Sequence, residues 1–260
     1  MRRLAEAAAE AEIAWLSNQT DGDSVTGYSP GGWAAEVWVL HAMYENPRLP
    51  GTVTHDDVRR ELLGLGTVEP DVIGGVNLDD QSTLTGIPLG LVSAPGQGWN
   101  RLTWENYLGR SPTHQPAREV PPCFRWFPRG SWPANIQPAP EGSMDSESFA
   151  ALLRVLAAES PGGGETECVA FYASLPAGGD FDSLHVWRGP LASLAPLVDQ
   201  YDNTPSNLWA VDRSWLVWTD WDLEGTRVTG SNDLIDRVAA DSFLETITWT
   251  PPADTIDPPD

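Results

Sequence analysis

Apolar positions along this chain change their spacing about midway. In the first hundred residues they recur mostly at helical intervals. Leu4, Ala8, Ala11 and Trp15 lie three or four apart in an alanine- and glutamate-rich stretch, which predicts a helix over 4–16. Trp33, Val37, Leu40 and Tyr44 form a second stripe, with Trp38 beside it, and predict a helix over 33–44. A third helix is marked at both ends. Thr54 stands as N-cap with Asp57 three residues on, and Gly64 and Gly66 follow the last apolar position. Residues 67–97 break into short β-type runs between Gly, Pro, Asn and Asp, which predicts a few short strands or an ordered extended loop. Thr103 opens a short helix over 103–109.

Past the proline-rich, charge-neutral "SPTHQPAREVPP" (111–122), helix and strand patterns alternate. Phe149, Leu152, Leu153 and Leu156 share one face of a helix over 146–159, capped by Asp145 or Ser146. Strands are predicted at 168–174, 184–189, 215–223, 226–231 and 243–249, from β-branched and aromatic content. Helices are predicted at 191–201, broken by Pro196, and at 232–241. "TPSNLWAVDR" (204–213) reads as a loop.

The fold class expected from this pattern is α+β. It has a mainly helical N-terminal half with short strands and a C-terminal antiparallel or mixed sheet packed with helices. The expected organisation is an N-terminal domain over 1–110, a linker or strap over 111–144, an α+β domain over 145–250 and a disordered acidic tail over 251–260. The strap carries Phe124, Trp126, Phe127 and Trp132, which must bury somewhere.

Composition narrows the chemistry. The 260 residues are 41% hydrophobic, a globular composition, and carry a net charge of −22. That charge disfavours nucleic acid and anionic membrane as partners and is compatible with a basic protein; solubility alone also accounts for it. There is no lysine, which makes P-loop, Schiff-base and kinase chemistry improbable. Cys123 and Cys168 lie far apart and read as reduced thiols of a cytoplasmic protein. The N-terminus lacks a continuous apolar core and reads as no signal peptide. No apolar run approaches the ~18 residues of a membrane span. GxGxxG, GxSxG, HExxH and CxxC are all missing, so no cofactor is implied.

Two stretches hold candidate chemistry. Along 215–223, strand alternation puts Trp215, Val217, Thr219, Trp221 and Leu223 on one face, taken as core. Leu216, Trp218, Asp220 and Asp222 take the other, so acids gather at one strand end. Asn207, Trp209 and Arg213 precede them. An aromatic anchor with polar neighbours has the composition of a protein-binding hot spot, and Arg213 could fork onto Asp220 or Asp222. Asn207, Trp209, Arg213, Asp220 and Asp222 are therefore the candidate binding residues; solvated or internally paired side chains are the plainer alternative. Asp180, Asp182 and His185 in "GGDFDSLH" have the types for a metal without a diagnostic spacing, and a hairpin loop explains them as well.

The run "TPSNLWAVDRSWLVWTDWDLEGTRVTGSNDLIDRVAADSFLETITW", with "SFAALLRVLAAES", "TECVAFYA" and "WRGPL" before it, resembles the C-terminal part of uncharacterised actinobacterial proteins. The resemblance covers 145–250. It implies cytoplasmic, soluble α+β proteins without an assigned activity, and so carries over no catalytic residue. Three readings follow: a non-enzymatic, immunity- or antitoxin-like protein that neutralises a basic partner; a carboxylate- or metal-dependent hydrolase; and a structural or scaffolding protein.

Overall fold

The fold is known from a computed structural model that describes residues 4–17, 30–63, 72–73, 76–77, 91–173 and 184–250. Its centre is an eight-stranded antiparallel sheet. In spatial order the strands are β1 (Ala5–Glu6), β9 (His185–Pro190), β8 (Glu167–Tyr172), β10 (Asn207–Ala210), β11 (Leu216–Trp218), β12 (Gly225–Gly230), β2 (Ala35–Leu40) and β13 (Thr246–Ile247). The sheet draws strands from both sides of the proline-rich 111–122 stretch. A three-stranded sheet joins β6 (Asn100–Leu102), β3 (Met43–Glu45) and β7 (Ile136–Gln137), and β4 (Val72–Ile73) pairs with β5 (Val76–Asn77).

Both faces of the large sheet are covered. On one lie α4 (Ser146–Glu159), α5 (Ala195–Tyr201) and α6 (Asn232–Ala240). Their Phe149, Leu152, Leu156, Leu197, Leu234 and Val238 pack on Val37, Val39, Ala170, Leu208, Val217 and Val228 of the strands. On the other, α1 (Ala9–Ser17) sets Ile13 and Leu16 against Phe171, Trp209 and Leu216. Beside it, Trp38 and Leu40 of β2 meet Met43, Leu102, Trp104 of α3 (Trp104–Leu108), and Trp126, Phe127 and Trp132. Phe124 stays 37% exposed.

The expectation of a mainly helical N-terminal half is corrected: the molecule is sheet-dominated. The stripe at 33–44 is β2 and β3, not a helix. Val37 and Val39 point to the helices while Trp38 and Leu40 point to the aromatic core. A strand buried on both faces has no polar alternation, and its apolar run then matches helical spacing by accident. The helix expected at 4–16 begins only at Ala9, after β1. "NLWA", read within a loop, is the central strand β10. The strand expected over 215–223 stops at Trp218, and that over 243–249 contracts to β13. Pro196 sits in the first turn of α5, where its missing N–H costs nothing.

The marked helix starts hold; Gly64 and Gly66, expected to end the helix that Thr54 opens, lie outside the described residues. In α2 (His55–Leu63) the Asp57 carboxylate accepts from the Thr54 backbone N–H and hydroxyl, while Asp57 N–H donates back to Thr54 Oγ1. Thr103 caps α3 through Asn106 N–H, Asp145 caps α4 through Ser148 N–H, and Ser231 caps α6 through Leu234 N–H.

Candidate functional site

After β11 the chain turns sharply before entering β12. Leu223 N–H donates to Asp220 O at 3.1 Å, and Asp222 N–H to Asp220 Oδ1 at 3.2 Å, so the Asp220 side chain stabilises its own turn. The turn lifts Trp221 into solvent at 44% exposure, where strand alternation had placed it in the core. Asp222 is exposed beside it and Asp220 half-buried.

A second segment is clamped against this turn. Gly142 N–H donates to Leu223 O at 2.9 Å, and Glu224 N–H to Pro122 O at 3.0 Å. Gly142 has φ +75°, and a Cβ there would lie 2.9 Å from the Trp221 carbonyl oxygen. Only glycine combines that backbone conformation with so close an approach. The clamp sets Glu141 next to Asp222 and Glu224.

Four carboxyl groups are thereby gathered. Glu224 is wholly buried, and neither of its side-chain oxygens has a hydrogen-bond partner. Burial, and secondarily the charge of Glu141, pushes its carboxyl well above the usual range. Glu141 is pushed up to about 7, first by desolvation and then by Asp222. Asp222 is raised by desolvation and by Asp220. The Cys123 thiol is raised to about 11, chiefly by burial, with Glu224 and Glu141 adding to the shift. Among the described residues, the charges that raise Glu141, Asp222 and Glu224 are those of Asp222, Asp220 and Glu141. Arg125, which lowers the Cys123 shift, pairs with Glu119 at 3.2 Å.

Behind the cluster runs a buried polar relay. His41 Nδ1–H donates to Pro140 O at 2.6 Å, and Thr226 Oγ1–H donates to His41 Nε2 at 2.9 Å. Thr219 Oγ1 lies 2.7 Å from Thr226 Oγ1 and completes the chain as donor. His41 N–H also donates to Glu224 O. Burial lowers the imidazole to about 4, against the raising effects of the Pro140 hydrogen bond and Asp145. The neutral ring with one donor and one acceptor nitrogen fits both partners. It fixes Pro140, and through it the position of Glu141.

Of the sequence-derived binding residues, the fold brings Asp220 and Asp222 together and puts the others elsewhere. Asn207 and Trp209 are buried in β10. Arg213, with φ +59°, lies in the turn between β10 and β11, at the opposite end of β11 from Asp220. Its guanidinium covers the Trp15 ring at 4.6 Å, and Trp15 meets Trp209 edge-on. Of the metal candidates, Asp180 and Asp182 lie outside the described residues, and His185 opens β9 with its ring 5.7 Å from Tyr201. Among the described residues no group of three or more His, Cys, Asp or Glu side chains could hold a metal ion. Glu141 and Glu224 were not among the sequence candidates. Glu141 lies in an irregular proline-rich stretch, and nothing local announces that it meets Glu224.

Comparison of the chain with protein-family models, with curated proteins and with solved structures finds no match. No helix among the described residues is long and apolar enough to cross a membrane.

Proposed function

We propose that this chain is a non-enzymatic protein-binding module, of the immunity or antitoxin kind, that covers a basic partner with its acidic corner. The observation that carries this reading is the turn at 220–224. It holds an exposed tryptophan between two acids, against a third acid, on a backbone clamped at Gly142. A preordered aromatic anchor ringed by like charges loses little entropy on binding and steers an oppositely charged surface toward it. The net charge of −22 supports the same polarity of partner.

The test is binding to the basic proteins encoded beside this chain in its native host, measured by calorimetry at low and high salt. The reading expects a complex that weakens with salt and loses at least about tenfold in affinity in Trp221→Ala or Asp222→Asn. A complex indifferent to both substitutions, or no complex with any of these proteins, overturns it.

A carboxylate-dependent hydrolase is the second reading, favoured by one observation. Glu141, pushed up to about 7 beside the raised carboxyl of Glu224, has the proton affinity of a general acid–base group at neutral pH. Turnover of ester, phosphodiester or glycoside substrates that disappears in Glu141→Gln would select this reading over the first.

A further inference from the structure

We propose that residues 118–129 and the turn at 220–222 form one self-complementary face on which a second copy of this chain docks, the basic strap of each copy lying on the acidic turn of the other. The inference goes beyond the partner-binding reading and stands without it.

Charge is unevenly spread along the chain. From Asn106 to Pro140 there are four arginines and one acid, a net charge of +3, so the remainder carries −25. Within that stretch Arg118, Phe124, Arg125 and Arg129 are exposed. They are displayed from a fixed backbone. Trp126 is buried in the aromatic core, its indole N–H donates to Val120 O at 3.0 Å, and Ala117 N–H donates to Arg125 O at 3.3 Å. The Arg118 guanidinium lies 4.6 Å over the Trp126 ring. Arg125 pairs with Glu119 at 3.2 Å, but both side chains are 51% exposed, and so wet a pair contributes little and exchanges partners readily.

The strap runs up against the acidic turn. Glu224 N–H donates to Pro122 O at 3.0 Å, and a Cβ on Gly225 would lie 2.8 Å from Pro122 Cβ. Cys123, between Pro122 and Phe124, feels both Arg125 and the acids Glu224 and Glu141. Patches of opposite sign therefore stand side by side on hydrogen-bonded segments, with Asp222 exposed and Asp220 half-buried on the acidic one.

Such a face is its own complement. Turned by 180°, its basic side meets acid and its acidic side meets base, so one contact is made twice across a two-fold axis. Phe124, 37% exposed, adds apolar surface beside the charges. An acidic partner satisfies the arginines and leaves the turn facing its like, and a basic partner does the reverse. A second copy satisfies both, which selects it as the occupant. The net charge of −22 on each copy opposes the approach, but at about 0.15 M salt that repulsion is screened beyond about 8 Å, whereas contacting pairs are screened much less.

The test is sedimentation of the full chain over a concentration series at about 0.15 M salt. A reversible dimer is expected between about 10 µM and about 1 mM chain, the range of a small polar interface, and it should dissociate by about 1 M salt. Arg125→Glu combined with Arg129→Glu, and separately Asp222→Arg, should each weaken self-association at least about tenfold, because like charges then face one another. Mixed in equal amounts, the two variants should associate within about threefold of wild type, since the two reversed patches match and so do the two unreversed ones. A wild-type chain that stays monomeric to about 1 mM, a dimer indifferent to salt or to either reversal, or variants that fail singly and also in the mixture overturns the proposal. Arg129→Glu alone, at an exposed position, replaces the double variant should circular dichroism show its fold disturbed. A monomeric chain that instead binds a polyglutamate peptide gives the strap to an acidic partner and overturns the proposal as well.

Discussion

Replacing Glu141 by glutamine removes one of the three raised acids of the corner and should change how stability depends on pH. Glu141 titrates near 7 in the folded protein against 4.5 when unperturbed. Below about pH 4.5 both folded and unfolded chains hold the proton, and the group is neutral to stability. Between there and about pH 7 the folded chain binds the proton more tightly than the unfolded one, so stability falls as pH rises. Above about pH 7 both are ionised and the loss is complete. At about 1.4 kcal/mol per unit, a displacement from 4.5 to about 7 corresponds to about 3 kcal/mol, or ~2 kcal/mol once the group's residual contact with water is allowed for. Glutamine cannot ionise, so it escapes this loss. Urea unfolding of both proteins across the pH range gives the difference. The Glu141→Gln advantage should be smallest near pH 4 and grow by ~2 kcal/mol by about pH 8. Any fixed effect of the amide shifts both ends equally and drops out. A difference that stays flat with pH, or shrinks as pH rises, would refute the placement of Glu141 among unscreened acids.

Four other outcomes follow from the same structure. Gly142→Ala should lose about 1–3 kcal/mol by urea unfolding, because it puts a Cβ against the Trp221 carbonyl at a positive φ; stability within error of wild type would contradict the clamp. His41 should remain neutral down to about pH 4, with its proton on Nδ1 in long-range nitrogen correlation spectra; being lowered in the folded state, it contributes stability that is lost as pH falls from about 6.5 toward about 4. Burial holds the Cys123 and Cys168 thiols at about 11 and about 12, so an aromatic disulfide reagent should label both only after unfolding. Trp209→Ala should cost about 3–5 kcal/mol by urea unfolding, since Trp209 fills the sheet core; a loss within about 0.5 kcal/mol would contradict its burial in β10.

The sequence by itself determined what depends on neighbours a few positions away. Thr54, Thr103 and Asp145 cap their helices as their spacing announces, because a cap is a contact between residues two or three apart. The strands at Glu167–Tyr172 and His185–Pro190 were legible from β-branched and aromatic runs of the right length. The polarity of the molecule was legible too, since net charge needs no fold. Tertiary structure decided the rest. Whether Trp33–Tyr44 is helix or strand depended on both of its faces being buried, and a chain buried on both sides erases the alternation that would name it. Strand alternation sent Trp221 inward, but the strand ended at Trp218 and the Asp220 side chain folded the turn that put the indole in solvent. Arg213 and Asp220 looked near because they flank one short strand, and antiparallel pairing set them at its two ends. The meeting of Glu141 with Glu224 had no local signature at all. It arises from hydrogen bonds between remote segments, Gly142 to Leu223 and His41 to Pro140, and the raised proton affinity of both acids comes first from desolvation and then from the neighbouring carboxylate that the fold supplies.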